Sequence, residues 1–225
     1  MKNKTIIYYL AIFVFLNISN IIFANEINFD TKDIEISNNG NTVVAGKGVA
    51  KLIEESIEIY AEEFKYLKNL SILEAYDGVA IAAKNNIEIK AKAFNYNENL
   101  SIINASGNVE IRDLKKKILI ESQNIIFYIK NKKIESQTKS IITDNLGNVI
   151  DTSNFIYTLN DDLIKMNEAK IVDTEKNILK IEKAFLNLKS NKLIGKDVFI
   201  DLNSDSNQKN NEPRLKGNSI ISNGK

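Results

Sequence analysis

The sequence predicts an all-β protein, and three observations lead to this prediction. Apolar residues alternate with polar ones along short segments, the same pattern of segments recurs about every thirty residues, and turn-forming residues separate the segments. Alternation with a period of two is typical of half-buried strands, and a fixed repeat length is typical of stacked architectures. Together they predict an open, elongated β-jellyroll built from about five to six stacked two-strand repeats of roughly 30 residues.

The repeat is clearest in two neighbouring copies. Residues 57–66 read IEIYAEEFKY and residues 87–96 read IEIKAKAFNY, and residues 70–81 match residues 100–111 in the same way. Weaker copies continue on both sides, so that the repeat covers residues 30–201. Copies that match position by position can stack with equivalent residues beside one another. This predicts a ladder of hydrogen-bonded strands around a continuous apolar interior.

Within each copy the alternation assigns an inward and an outward face. Ile57 and Ile59 share one face of a strand and Glu58 lies on the other. The apolar face then continues at Phe64, which is out of step by one residue after Glu62. A shift of one residue predicts a corner or bulge at which the strand bends. Each copy is therefore expected to be a bent hairpin of two strands.

Turn residues separate the strands. Asn-Gly and Gly-Asn pairs at 39–40, 107–108 and 147–148 predict tight turns, because both residue types accept the positive φ that such turns need. Residues 163–184 are the one segment whose charge spacing would also suit a short helix.

The two ends of the chain differ from the repeat. Lys2 and Lys4 precede an unbroken apolar run at 6–16, which is too short to span a bilayer as a helix. The pattern predicts a signal peptide over residues 1–24 with cleavage near Ala24, and an uncleaved anchor is the alternative. The repeat domain is predicted over 25–202, followed by a polar linker and a short further segment over 203–225.

The composition argues against an enzyme and against a nucleic-acid partner. The chain has no cysteine and no histidine, which excludes thiol and imidazole chemistry, and its 30 basic and 29 acidic residues give a net charge of +1. No catalytic residue, cofactor or metal site is predicted. The acidic residues between the apolar ones are expected on the solvated outer face: Glu58, Glu88, Glu110, Glu121 and Glu182.

The apolar interior is the one candidate functional feature. Many inward positions are small, which would leave space for acyl chains in a long trough. These positions are Ala61, Ala75, Ala91, Ala105, Ser122 and Gly195. Shelter from water favours lipid binding by about 0.8 kcal/mol for each buried methylene. The alternative is an ordinary dry core.

The repeated pattern IxIxAxxFxY…LxxxxAxGNVxI, best seen at 87–111, resembles the organic-solvent-tolerance-like (OstA-like) domain of lipopolysaccharide transport. That domain occurs in the periplasmic bridge protein and at the N-terminus of the outer-membrane lipopolysaccharide-assembly protein. The tail at 211–225, NEPRLKGNSIISNGK, is similar to the segment that leads into the barrel of the assembly protein, although the barrel itself is absent from this chain.

The resemblance implies a non-enzymatic lipid conduit, located in the periplasm and associated with the outer membrane. It implies that the apolar interior shields the acyl chains of lipid A, and that a bridge protein of similar fold pairs with an edge strand around Phe29, Ile34 and Ile36. The interior positions that it implies as lipid-binding are Ile57, Ile59, Phe64, Ile87, Ile89, Phe94, Val109, Ile111, Ile125 and Phe127. The alternatives are a structural β-solenoid surface protein and a stand-alone periplasmic carrier of hydrophobic ligands.

Overall fold

The computed structural model describes residues 27–202 and 214–223. The predicted signal peptide, its cleavage site near Ala24 and the polar stretch at 203–213 lie outside the described residues. Within them every regular element is a strand or a three-residue 3₁₀ helix, and no helix is long and apolar enough to cross a membrane. The strands form a single antiparallel sheet of 18 strands, which confirms the prediction of an all-β, elongated β-jellyroll.

The 3₁₀ helices cover Asn38–Gly40, Lys68–Leu70 and Ala83–Asn85. The strands are, in chain order, β1 Ile27–Thr31, β2 Ile34–Ser37, β3 Thr42–Ala45, β4 Gly48–Leu52, β5 Ile57–Ala61, β6 Glu63–Leu67, β7 Ile72–Ala82, β8 Ile87–Asn97, β9 Ile102–Asp113, β10 Ile118–Tyr128, β11 Lys133–Ser136, β12 Ser140–Thr143, β13 Val149–Thr152, β14 Asn154–Thr158, β15 Leu163–Val172, β16 Ile178–Asn187, β17 Lys192–Asp201 and β18 Arg214–Asn223.

The sheet is folded lengthwise into two walls, here called wall A and wall B. Wall A starts with β1 and continues through β4, β5 and the second half of β7, whereas wall B starts with β2 and continues through β3, β6 and the first half of β7. Long strands such as β8 and β9 then cross from one wall to the other. After β10 the strands are short again. In this part of the sheet β12 and β13 continue wall A, and β11 and β14 continue wall B.

The strands cross between the walls at a crease, where the register shifts or a strand is interrupted. The crease passes near positions 47, 62, 77, 92, 107, 123, 138, 153, 168, 182, 197 and 218. From position 47 to position 197 it recurs about every fifteen residues, which is half of the repeat seen in the sequence. The one-residue shift after Glu62 therefore marks a bend, as the sequence predicts, and the break between β5 and β6 falls there.

Residues with positive φ mark the same period. On alternate strands, residues with positive φ lie at the crease and bend the strand there: Asp77, Gly107, Asn108, Glu168 and Asp197. The turns at the free margin of wall A contain Ser56, Asn86, Lys117, Gly147 and Lys176, and those of wall B contain Ser71, Ser101, Lys132, Asp162 and Asn191. Small and polar residues tolerate this left-handed conformation better than β-branched or bulky ones, so the repeat spacing is fixed by backbone geometry as well as by the apolar pattern.

Two expectations from the sequence need correction or completion. Gly107-Asn108 does not form a turn between strands: β9 runs through it, and the two positive φ angles bend the strand at the crease. The Asn-Gly and Gly-Asn signals at 39–40 and 147–148 do lie between strands. Residues 163–184 contain β15 and most of β16 and no helix, because inward Ile164, Met166 and Ala169 complete the interior of both walls.

The sheet extends beyond the boundary predicted at residue 202. Arg214–Asn223 form β18, which pairs antiparallel with β17 along both walls, from Asp201 opposite Arg214 to Lys192 opposite Asn223. This part of the tail, which the sequence assigned to a segment after the domain, is a strand of the same sheet.

Candidate functional site

The apolar interior between the walls holds every residue that the resemblance marks as lipid-binding. Each of these side chains is at most 2% exposed, and together they contribute to one continuous core cluster. They are Ile57, Ile59, Phe64, Ile87, Ile89, Phe94, Val109, Ile111, Ile125 and Phe127. The outer-face acidic residues Glu88 and Glu121 are partly or fully exposed, as the alternation predicts. Binding of lipid by the interior residues stays a prediction.

The small inward residues have a structural explanation that differs from the one expected. Ala61, Ala75, Ala91, Ala105 and Gly195 lie beside the crease, where the walls converge, and all are buried. A longer side chain has no room at such a convergence: a Cβ at Gly195 would lie 2.6 Å from a methyl carbon of the Ile181 side chain. Their size therefore follows from the narrow base of the jellyroll.

A cluster of hydroxyl groups fills the crease in the fourth repeat. Ser122 Oγ lies 3.0 Å from Ser136 Oγ and 3.1 Å from Thr138 Oγ1, and Ser140 donates to Ser122 at 3.0 Å. Ser140 Oγ also lies 2.9 Å from the Thr138 carbonyl oxygen, which is an alternative acceptor for the same proton. Buried hydroxyls are tolerated when they are hydrogen-bonded to one another or to the backbone, so this cluster is satisfied although it interrupts the apolar base.

The interior is open at the end formed by β1 and β2. Ile34 and Ile36 pair with the buried Ala45 and Val43, which places all four side chains on the inner side, yet Ile34 is 48% and Ile36 is 62% exposed. Phe29 is partly buried and packs edge-on against Phe64, with 5.8 Å between ring centroids. The predicted partner edge therefore consists of β1 and β2, which are the first strands of walls A and B in the described part of the chain. Their apolar inner side chains are in contact with water.

The opposite end, formed by β18, is open in the same manner. Leu215 pairs with Ile200, which packs against the core, and it is 55% exposed. On wall B, Ile220 pairs with the buried Gly195 and is half-buried. Inner side chains that would be covered in the middle of the sheet are uncovered at both terminal strands.

The two rows of turns opposite the crease face each other along a line that we call the seam. Its wall A side consists of turns 53–56, 83–86, 114–117, 144–148 and 173–177, and its wall B side of turns 38–41, 68–71, 98–101, 129–132, 159–162 and 188–191. Tyr157 of wall B donates across the seam to Asp113 of wall A at 2.6 Å. Lys116 and Asp162 form an ion pair across it at 2.7 Å. Polar ties therefore hold the walls together in the middle of the molecule.

Aspartates equivalent to Asp113 recur along the wall A side of the seam. Asp113, Asp144 and Asp173 each end a strand of wall A and each accept backbone N–H bonds from the following turn, at 2.8 to 3.0 Å. Asp144 and Asp173 also accept a side-chain bond from Asn148 and Asn177. A carboxylate that caps its own turn stabilises that turn without a metal ion, so these residues need no ligand to be satisfied.

Three tyrosines point their hydroxyls toward the seam at equivalent repeat positions. Burial, and then the bond donated to Glu98 at 2.8 Å, raises the pKa of Tyr66. Burial and the charge of Glu55 raise the pKa of Tyr96, and burial and the bond to Asp113 raise the pKa of Tyr157. Each hydroxyl is therefore held in its neutral, hydrogen-bond-donating form.

These raised pKa values predict a loss of stability in alkali. Tyrosine in the unfolded chain ionises near pH 10, so the stabilisation is complete below about pH 10 and is lost as the pH rises above it. At neutral pH we expect Tyr157→Phe to lower the free energy of unfolding by about 1–3 kcal/mol, because a bond to a buried carboxylate is lost. Urea unfolding at neutral pH and above pH 10 should show the difference from wild type shrinking as the pH rises.

Tyr60→Phe is the matched control for this substitution. The Tyr60 ring lies on the outer face, is 41% exposed and bonds an exposed carboxylate, so its removal should change stability little at either pH. A constant difference between Tyr157→Phe and wild type across the pH range would contradict the assigned role of the Tyr157 hydroxyl.

Near the β18 end the seam contains a cavity, here called the mouth, of about 460 Å³. Residues from both walls line it, so it lies between them. Aliphatic and polar side chains both line it. The aliphatic side chains are Leu146, Ile150, Ile171, Leu179, Leu186 and Leu193, and the polar ones are Asp144, Asn148, Asp173, Thr174, Glu175, Asn191 and Ser222.

A larger groove of about 930 Å³ lies on the outer side, at the crease of wall A. Outward-facing charged side chains contribute to it, among them Lys90, Lys139, Glu110 and Glu121. Charges of both signs line it, with Glu110 paired opposite Lys90 on one side and Glu121 on the other, and the sheet itself separates the groove from the apolar interior. It is a feature of the solvated surface.

The seam ties and the mouth are not predicted by the sequence pattern. Asp113, Asp144 and Asp173 recur about every thirty residues, which is a signal that could have marked the wall A turns. The partner of Asp113 is Tyr157, 44 positions away, and no local pattern predicts that contact. Among the described residues, no group of three or more acidic side chains is arranged to hold a metal ion.

For the described residues, fold and site together define a class of protein: an elongated, open β-jellyroll whose apolar interior reaches water at both terminal strands and approaches it at the seam. A scan against protein-family models and a search of curated proteins found no match. Among solved structures, the chain is similar to LptH, the LptA-homologous periplasmic component of the lipopolysaccharide transport device from Pseudomonas aeruginosa. That match has a TM-score of 0.43 and 11% identity, and covers 51% of this chain and 83% of LptH. A match at this level leaves the function to be argued from this chain's own residues.

Proposed function

We propose that the protein is a non-enzymatic lipid conduit for lipopolysaccharide in the periplasm, associated with the outer membrane, and that its interior shields acyl chains. The observation that carries the proposal is the continuous apolar interior with uncovered inner side chains at both terminal strands. Exposed apolar side chains at the end of a sheet favour association with another apolar surface. The OstA-like repeat pattern at 87–111 points to the same function.

The interior would have to widen to accept a lipid. Phe94 and Ile111 are almost fully buried by other parts of the chain, so acyl chains would take the place of contacts between the walls. Each methylene sheltered from water contributes about 0.8 kcal/mol, whereas each seam tie contributes on the order of 1 kcal/mol. An acyl chain of a dozen carbons therefore has enough transfer free energy to offset the few ties that hold the seam.

The open ends provide the partner surfaces. On the described part of the chain, β1 and β2 each pair on one side only, so their outer edges carry backbone groups available for another strand. A bridge protein of similar fold would add its terminal strands there and cover Ile34 and Ile36. The apolar interiors of the two proteins would then become continuous.

A structural β-solenoid is the second candidate. The observation in its favour is the close packing of the interior, since Phe64, Phe127 and Phe155 are fully buried without any ligand. In that case the open ends would serve only to join copies or partners end to end. The two candidates differ in one measurable respect, which is whether lipid enters between the walls.

Site-specific photocrosslinking tests the conduit directly. A photoreactive phenylalanine analogue is placed at Phe94, which lies inside, or at Glu88, which lies on the outer face of the same strand, β8. In cells that export lipopolysaccharide, we expect an adduct from position 94 and none above background from position 88. The adduct is detected as a lipopolysaccharide-positive band of increased mass.

Adducts from neither position, in protein that is folded and exported, would contradict the conduit and favour the structural β-solenoid. Equal adducts from both positions would indicate lipid on the outer surface and would also contradict it. Crosslinking at Ile36 tests the partner edge separately, because a protein adduct there is expected whether or not lipid is bound.

A further inference from the structure

The charge of the seam changes along the molecule. Five turns in its middle are here called the basic section: 68–71, 98–101 and 129–132 on wall B, and 83–86 and 114–117 on wall A. Backbone hydrogen bonds join neighbouring turns of each wall to one another. The five turns contain seven lysines, and Glu98 is their only acidic residue. Because the whole chain has a net charge of +1, this concentration of positive charge is local.

Most of these lysines are available to a partner. Lys116 forms the ion pair with Asp162 across the seam, and the other six are exposed: Lys68, Lys84, Lys115, Lys117, Lys130 and Lys132. The Glu98 side chain is only 6% exposed, so its carboxylate lies below the surface. Asp161, in the facing turn 159–162, is exposed and offsets one of the charges. The surface of the basic section therefore stays positive.

The same turns also expose large aliphatic side chains. Leu70 is 53%, Leu100 is 63% and Leu114 is 55% exposed. Leu70 and Leu100 are equivalent positions of the repeat on wall B, and Leu114 lies on wall A. Single exposed leucines are ordinary on a soluble protein, whereas several of them along one line indicate an apolar contact surface.

Exposed lysines beside exposed leucines fit a lipid surface with anionic head groups. The ammonium groups are attracted by the negative charge of the surface, while the leucine side chains enter the boundary between head groups and acyl chains. Each lysine close to such a surface strengthens binding by roughly fivefold. A nucleic acid would contact the lysines through its phosphates but would leave the leucines in water.

We propose that the basic section of the seam is a contact surface for an anionic membrane, on which the protein lies with the seam toward the lipid. The inference goes beyond the proposed function, because it concerns the outside of the seam and holds whether or not lipid enters between the walls. Binding of this kind breaks no contact between the walls, since only exposed side chains take part.

The sequence contains no tryptophan, so a single one reports lipid contact at a chosen position. Leu100→Trp places it in the basic section, and Tyr60→Trp places it on the outer face of wall A, where Tyr60 is 41% exposed. The probe is vesicles of phosphatidylglycerol and brominated phosphatidylcholine, whose bromine atoms quench tryptophan on contact. We expect quenching of Leu100→Trp and none of Tyr60→Trp. Vesicles of brominated phosphatidylcholine alone should quench neither.

The lysines are tested in the Leu100→Trp chain. Adding Lys115→Gln, Lys117→Gln and Lys130→Gln should weaken binding to the mixed vesicles on the order of a hundredfold, measured as the lipid concentration that gives half of the maximal quenching. The matched control removes the same charge from exposed lysines of the outer faces and should have a much smaller effect: Lys90→Gln, Lys165→Gln and Lys170→Gln. Residues 1–24 are kept in every variant, so a contribution of that apolar run is the same in all.

Three results would overturn the proposal. Quenching of Tyr60→Trp to the same or a greater extent would mean that another face lies on the membrane. Absence of quenching at Leu100→Trp would exclude contact of the basic section, even if the chain sediments with vesicles through its N-terminal run. Equal weakening by the two sets of glutamines would reduce the binding to net charge. None of these results bears on photocrosslinking at Phe94, so this inference and the conduit fail independently.

Discussion

Replacing Phe94 by alanine is expected to lower the free energy of unfolding by about 3–5 kcal/mol, because the ring is buried between the walls and the surrounding strands cannot collapse into the space it leaves. Phe94 pairs with Ala75 and Ala105, which are both small and buried. Its neighbours on either strand are therefore unable to extend into the cavity. Urea unfolding followed by circular dichroism measures the change.

Asn95→Ala on the same strand is the control for this substitution. Its side chain lies on the outer face opposite Glu74 and Asn104, so its removal should change stability by no more than about 0.5 kcal/mol. A small effect of Phe94→Ala would mean that the walls separate readily even without lipid. It would weaken the description of the interior as a packed core.

Gly78→Ala is the second substitution with a large expected effect. A Cβ at this position would overlap the backbone carbonyl oxygen of Tyr60 and lie 2.9 Å from the Cβ of Ala61. Both atoms belong to the neighbouring strand, which cannot move without breaking its pairing with β4. Overpacking against a backbone is expected to destabilise by about 3 kcal/mol, measured as a lower unfolding midpoint in urea.

Gly46→Ala is the matched control, because it changes the same atoms at another point of the crease. The nearest atom to a Cβ there is the Cβ of Asp33 at 3.8 Å, which is ordinary contact. We expect Gly46→Ala to leave the midpoint unchanged or to raise it slightly, since alanine restricts the unfolded chain. Equal effects of the two substitutions would contradict the close approach of β5 and β7 at the crease.

The alternation and the thirty-residue repeat predict most of the fold because both are local. Ile87 and Ile89 are assigned inward by period alone, and the interior residues that the sequence marks are all buried. The sequence predicts a turn at Gly107-Asn108, because glycine and asparagine favour positive φ in turns and in bulges alike. Only the pairing of β9 along its whole length separates the two cases.

The seam could not be predicted in the same way. Its contacts depend on how far apart the two walls stand, and that distance follows from the bend at the crease in every strand. The tie between Asp113 and Tyr157, and the gap beside Leu193, result from this summed geometry. The polar cluster at Ser122 and Ser136 has a signal in the sequence, because serine occupies positions where earlier repeats have alanine. Its hydrogen bonds depend on how the strands pack, and the sequence pattern does not predict them.

The crease has a consequence for the length of the molecule. Because every repeat contributes one ascending and one descending strand to both walls, neighbouring repeats are joined by the same pairing rule throughout. Strands stand about 4.8 Å apart, so each thirty-residue unit lengthens the molecule by roughly 10 Å. Duplication or loss of a unit would therefore change the molecule's reach in steps of fixed size, while the cross-section that surrounds the interior stays the same.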